Sequence, residues 1–179
     1  MLQFWRNPEF IRHARAELRA PRSIAAGLLV LVICALVGLA SWSAERNHLP
    51  EFFRTCHLWL VGIQFTLLGF WCASNCGQAI SRERELKTYD FLKTTRLTSA
   101  ELIIGKTLGA PIMAYFVVGC SLPVSLLAGL LGGYSVGTLL GVYALLIAFA
   151  LFISLFGLWI SMLLEKSSSG VVGLLALFP

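Results

Sequence analysis

Of the chain's 179 residues, 58% are apolar and only 13% are charged, and the mean hydropathy is +0.80. A soluble domain carries about 25% charged residues, so this chain cannot solvate an ordinary exterior, and the same figures exclude disordered and collagen-like classes. The net charge of +5 invites a nucleic-acid reading, but the placement of the basic residues points to membrane orientation instead, and no nucleic-acid partner is expected.

The opening segment predicts a short helix. Asn7 is a good N-cap, Pro8 suits the first helical position, and Glu9 favours the positive end of the helix dipole. Arg12, Arg15 and Arg19 recur at helical spacing, Phe10, Ile11, Ala14 and Leu18 group on another side, and Pro21 is expected to end the helix. Segment 1–22 therefore reads as an amphipathic elbow lying in the headgroup layer, with Trp5 as its interfacial anchor.

Beyond it the charges are clumped. No Asp, Glu, Lys or Arg occurs in the 22 residues from Ser23 to Ala44 or in the 27 from Thr55 to Ser81. Crossing a bilayer takes about 20 apolar residues, so each gap holds one span, at about 23–42 and 56–77. Between them a short external loop is expected, with Pro50 and the pair Phe52–Phe53 dipping into the interface. Trp59 and Trp71 then sit near the two ends of the second span, as aromatic belts require.

Residues 78–106 form the most polar stretch, read as a cytoplasmic loop. Glu83 and Lys87 make an i,i+4 pair that extends the second span as a charged helix. Thr88 can cap a second short helix, with Asp90 in its first turn and Tyr89, Phe91 and Leu92 offering apolar contacts. Thr98-Ser99-Ala100-Glu101 is a capping box that opens the next helix.

A third charge-free run, Thr107 to Leu164, spans 58 residues. As one helix it would be about 87 Å long, so it must fold back. The turn is read from Gly132-Gly133-Tyr134-Ser135, which gives spans at about 107–131, kinked by Pro111 and Pro123, and 136–164. The last carries a small-residue stripe, Ala150, Ser154, Gly157 and Ser161, suited to close helix packing. A fresh apolar run, 171–179, reaches only about half the hydrocarbon thickness and reads as the start of a fifth span in a longer chain.

Twelve basic residues lie before the first span, in 78–106 or at Lys166, against Arg46 and Arg54 alone on the other side. By the positive-inside rule the N-terminus is cytoplasmic, in a multi-pass protein of the plasma or inner membrane. Little in the chain suggests catalysis. Gly105-Lys106-Thr107 suggests a phosphate loop, but Ala100 stands where its first glycine is needed and no strand precedes it. The spans hold no Asp, Glu, Lys or Arg for a proton relay. Cys72 and Cys76 share a helix face but have no second pair nearby, so they read as packing residues rather than metal ligands. The fold expected is an all-α integral membrane bundle, and the chain is not expected to be an enzyme or to hold a metal or cofactor.

The loop carries a resemblance. Glu83, Glu85, Thr88, Asp90 and Leu92, then Thr95, Leu97 and Glu101, then Gly105-Lys106 before a span, resemble the first cytoplasmic loop of type-2 ABC transporter permeases, especially those linked with multicopper enzyme maturation or drug export. The opening Asn7-Pro8 and Arg-rich elbow are similar to that family too, while Lys87, Tyr89 and Arg96 depart from its pattern. The resemblance implies a half-transporter that pairs with a second permease, identical or not, and with separate ATPase subunits that bind ATP and Mg. It also implies that Glu83, Glu85, Thr88, Tyr89, Asp90, Leu92, Thr95 and Leu97 form the coupling segment that receives the ATPase movement. The implied function is a transmembrane exporter subunit. A non-transporting membrane scaffold is the alternative from another class.

Overall fold

The computed structural model describes residues 8–44, 48–80 and 99–163, all built from helices and turns. Six helices occur among them: α1 (Pro8–Glu17), α2 (Ala20–Ala44), α3 (Leu49–Gln78), α4 (Ser99–Gly109), α5 (Ile112–Leu131) and α6 (Val136–Leu163). Four of these, α2, α3, α5 and α6, are long and apolar enough to cross a bilayer. The molecule is a polytopic helical membrane protein. Residues 81–98 and 164–179, including the expected start of a fifth span, lie outside the described residues.

Helix ends depart from the sequence expectations where proline is involved. Pro21 does not end the first helix: α1 stops at Glu17, and Pro21 sits in the first turn of α2. Its missing N–H costs nothing there, because the first N–H groups of a helix have no intrahelical partner. For the same reason Pro50 belongs to the first turn of α3, with Glu51 beside it at the positive end of the dipole. Phe52 and Phe53 are therefore helical rather than part of a loop. Phe52 packs edge-on against Trp42 at 5.7 Å and against Phe53 at 5.0 Å.

Pro111 does more than kink. It separates α4 from α5 through the two-residue turn 110–111, since a proline disfavours helical backbone in the residue before it. The capping-box segment is helical from Ser99, so α4 takes up the last part of the stretch read as loop. Pro123 is accommodated inside α5.

The α5–α6 turn closes through Gly132 N–H to Ala128 O at 2.8 Å and Tyr134 N–H to Gly129 O at 3.0 Å. Gly133 adopts φ of 82°, the left-handed conformation that caps helix C-termini and that a side chain disfavours. Ser135 then caps α6, its Oγ accepting from the Thr138 N–H at 3.1 Å.

The chain divides into two compact units. The first comprises the described residues 8–19, 68–80, 99–114 and 149–163, and the second 20–44, 48–67 and 115–148. In the first, Cys76, Ile80 and Leu158 form a buried cluster with Ala79 and Ala110 against it, and α1 rests on α4, His13 over Gly109. In the second, α2 buries only Val30 and Ser41. Its Ile24, Leu31 and Leu39 are more than 60% exposed, a surface suited to hydrocarbon rather than water.

Candidate functional site

The coupling segment expected from the sequence, Glu83, Glu85, Thr88, Tyr89, Asp90, Leu92, Thr95 and Leu97, lies outside the described residues. Its two flanks do not. Ile80, three residues before Glu83, is buried, and its N–H donates to Ser161 Oγ on α6 at 2.9 Å. On the returning side, Lys106 of α4 is buried, and its carbonyl lies 4.0 Å from the Cys76 thiol. Both flanks are thus fastened within the first unit.

The small-residue stripe supplies that fastening. Ala150, Ser154 and Ser161 are all buried. At Gly157 a Cβ would lie 3.1 Å from Cys76 Cβ, 3.2 Å from Gly77 N and 3.3 Å from Ala73 O. Two of those neighbours are backbone atoms, so α3 and α6 meet here at a distance that only glycine permits without adjustment.

The second unit contains a polar set that the sequence reading did not assemble. His57 and Gln64, two turns apart on α3, face Ser121 and Ser125, one turn apart on α5, and all four are buried. His57 Nδ1 lies 2.8 Å from the Ser125 carbonyl oxygen. A carbonyl only accepts, so Nδ1 carries the proton, and the same N–H leans toward Ser125 Oγ at 3.3 Å. Tyr134 covers the imidazole at 5.2 Å between ring centres, and Arg54 Nε donates to the Tyr134 hydroxyl at 3.2 Å.

Deeper along α3, the Gln64 side chain donates from Nε2 to Ser121 Oγ at 2.9 Å, and Ser121 Oγ donates in turn to Val118 O at 2.9 Å. This fixes the amide. The one hydroxyl proton of Ser121 is spent on Val118, so the serine can only accept from Gln64, and Nε2 must face it. Gln64 Oε1 is left buried without a hydrogen-bond partner. The Tyr143 hydroxyl on α6 faces Ser125 and Gln64 but completes no hydrogen bond of ordinary geometry. An unpaired buried acceptor costs about 1–3 kcal/mol, and such groups are rarer still among membrane-spanning helices, where polar residues mark functional positions.

The spacing of these residues was the available signal. Positions 57 and 64 on one helix and 121 and 125 on another each fall on one helical face, yet single polar residues in a charge-free run carry little weight until the helices are paired. Among the described residues, no three His, Cys, Asp or Glu side chains gather as metal ligands would.

A family model for the ABC-2 type transporter matches residues 1–178. The chain belongs to that family. Comparison with curated proteins and with solved structures finds no match to either. The chain is therefore a membrane permease component of an ABC transporter.

Proposed function

We propose that this permease is the membrane subunit of an exporter driven by ATP hydrolysed on a separate ATPase chain, with segment 81–98 as its coupling element. The family match over residues 1–178 carries the reading. Twelve basic residues against two support a cytoplasmic N-terminus, with that segment on the side where the ATPase would bind. In this reading α1 lies along the headgroups and a second permease, identical or not, completes the transporter. ATP and Mg are bound by the ATPase partner, in keeping with the broken phosphate-loop pattern at Ala100. ATP-driven closure of the ATPases presses on the segment around Thr88 to Leu97. Its flanks at Ile80 and α4 pass the displacement to α3 and α6, which requires the two permease states to contact the ATPase differently.

Leu92→Asp tests this. Burying a leucine is worth roughly 1.5–3 kcal/mol, and each 1.4 kcal/mol is about tenfold in affinity. Permease-stimulated ATP turnover of the reconstituted complex should fall at least about tenfold, with membrane insertion unchanged. Equal turnover in wild type and variant would make the segment a connector and favour a scaffold without transport.

A further inference from the structure

The first helix has two unlike sides. On one, Phe10, Ile11, Ala14 and Leu18 are half-buried, and α1 packs on α4 with His13 over Gly109. An interfacial helix ordinarily holds to a bilayer by sinking its apolar face into the acyl boundary. Here most of that face is taken up by the protein itself. The other side is cationic. Arg12, Arg15 and Ala16 are exposed on α1, and Arg19, two positions past its end, is exposed as well. Spacings of three and four residues place such side chains on one helical face. No acidic side chain is described among them, since Glu17 falls on the half-buried side. Five positions after Arg19, Ile24 begins the strongly exposed apolar surface of α2. The chain therefore reaches the hydrocarbon boundary within a few residues of the arginines, which puts them at the depth of the headgroups.

We propose that the Arg12, Arg15 and Arg19 side of α1 binds the phosphates of anionic phospholipids. A guanidinium presents a planar fork of donors that matches two phosphate oxygens at once. In a zwitterionic lipid the phosphate is offset by its own ammonium, whereas in phosphatidylglycerol it is not, so a row of cations selects the anionic headgroup. Each arginine near such a surface is worth roughly fivefold in affinity. Because α1 rests on α4, the bound lipid is attached to the helix that follows segment 81–98. The inference rests on the placement of α1 along the headgroups and adds the residues and the lipid class. It is independent of transport direction and of coupling to an ATPase.

The test uses the permease with a photoreactive benzophenone side chain introduced at Ala16, in nanodiscs of phosphatidylcholine with a minor share of phosphatidylglycerol. On illumination, phosphatidylglycerol adducts at position 16 should exceed that lipid's share of the bilayer at least about fivefold. Arg15→Gln with Arg19→Gln should return the adducts to that share, and Arg15→Lys with Arg19→Lys should keep most of the enrichment. Both positions are exposed, so packing is spared, and the glutamine pair leaves ten of the twelve basic residues that set orientation. Adducts in proportion to bilayer composition in the wild type overturn the proposal while leaving α1 at the headgroups, and that measurement needs no variant to fold. Enrichment unchanged in the glutamine pair also overturns it. No lipid adduct at all, or an adduct to the ATPase in its place in the assembled complex, overturns both the proposal and the headgroup placement. Leu92→Asp should leave the adducts unchanged, so a failure of coupling and a failure of this surface are read separately.

Discussion

Each of the two units is held together internally by its own kind of contact. In the first, helices approach until backbone nearly touches backbone: Gly157 lies against Cys76, Gly77 and Ala73, and Ser161 receives the Ile80 N–H. In the second, side chains reach across, His57 to Ser125 and Gln64 to Ser121, and α2 contributes only two buried residues. Close backbone packing has few alternative arrangements, because the interior is dense and any shift meets hard repulsion. Side-chain hydrogen bonds between helices are worth only about 0.6–2 kcal/mol in membranes and can be exchanged for others. The first kind of contact lies at the flanks of segment 81–98, and the second kind joins α3 to α5.

The sharpest way to break the comparison is on α6, which contributes to both units. Gly157→Leu should abolish accumulation of folded protein, and Gly157→Ala should cost about 1–3 kcal/mol by overpacking. At Gly141, sixteen residues earlier on the same helix, an added Cβ meets nothing within 4 Å, so Gly141→Leu should leave thermal stability in detergent within about 0.5 kcal/mol of wild type. Similar losses at both positions would mean the two units are packed alike.

A smaller effect is expected at the flank of segment 81–98. Ser161→Ala leaves the buried Ile80 N–H without its acceptor and should cost about 1–3 kcal/mol, whereas Ser161→Thr, which keeps the hydroxyl, should recover most of it. Denaturant or thermal unfolding followed by tryptophan fluorescence reads both. An equal loss in Ala and Thr variants would show that volume, not the hydrogen bond, holds Ile80.

The second unit offers an asymmetric pair. His57→Leu removes a buried donor and should cost about 0.5–1.5 kcal/mol. Ser125→Ala should cost less, because the short bond goes to the Ser125 backbone carbonyl, which the substitution leaves in place. A larger loss at Ser125 than at His57 would reassign the main contact to the hydroxyl.

Charge-free runs made the spans legible in the sequence, and the pair Gly132-Gly133 marked the α5–α6 turn, because both signals are local. Proline was harder. Pro21 and Pro111 were each read as acting on the helix they stand in, but Pro21 opens α2 and Pro111 divides two helices. The residue alone does not say which side of a boundary it serves. The stripe at Ala150, Ser154, Gly157 and Ser161 was visible as a spacing, whereas its partners on α3 were not. His57 and Gln64 were hidden for the same reason: their meaning lies in residues on α5, 68 and 57 positions on, that no local window reaches.

Those separations also bear on how the protein is made. Helix α2 is 25 residues long and buries almost nothing within the molecule, so it can leave the insertion machinery for lipid as soon as it emerges. Helix α3 cannot do so at no cost. Ser121 follows Gln64 out of the ribosome 57 residues later, a delay of roughly 3–11 s at about 5–20 residues per second. Through that interval the amide and the imidazole of the nascent α3 have no partner of their own chain. Retention beside the insertion machinery, or a shallow position near water, would satisfy them until α5 arrives.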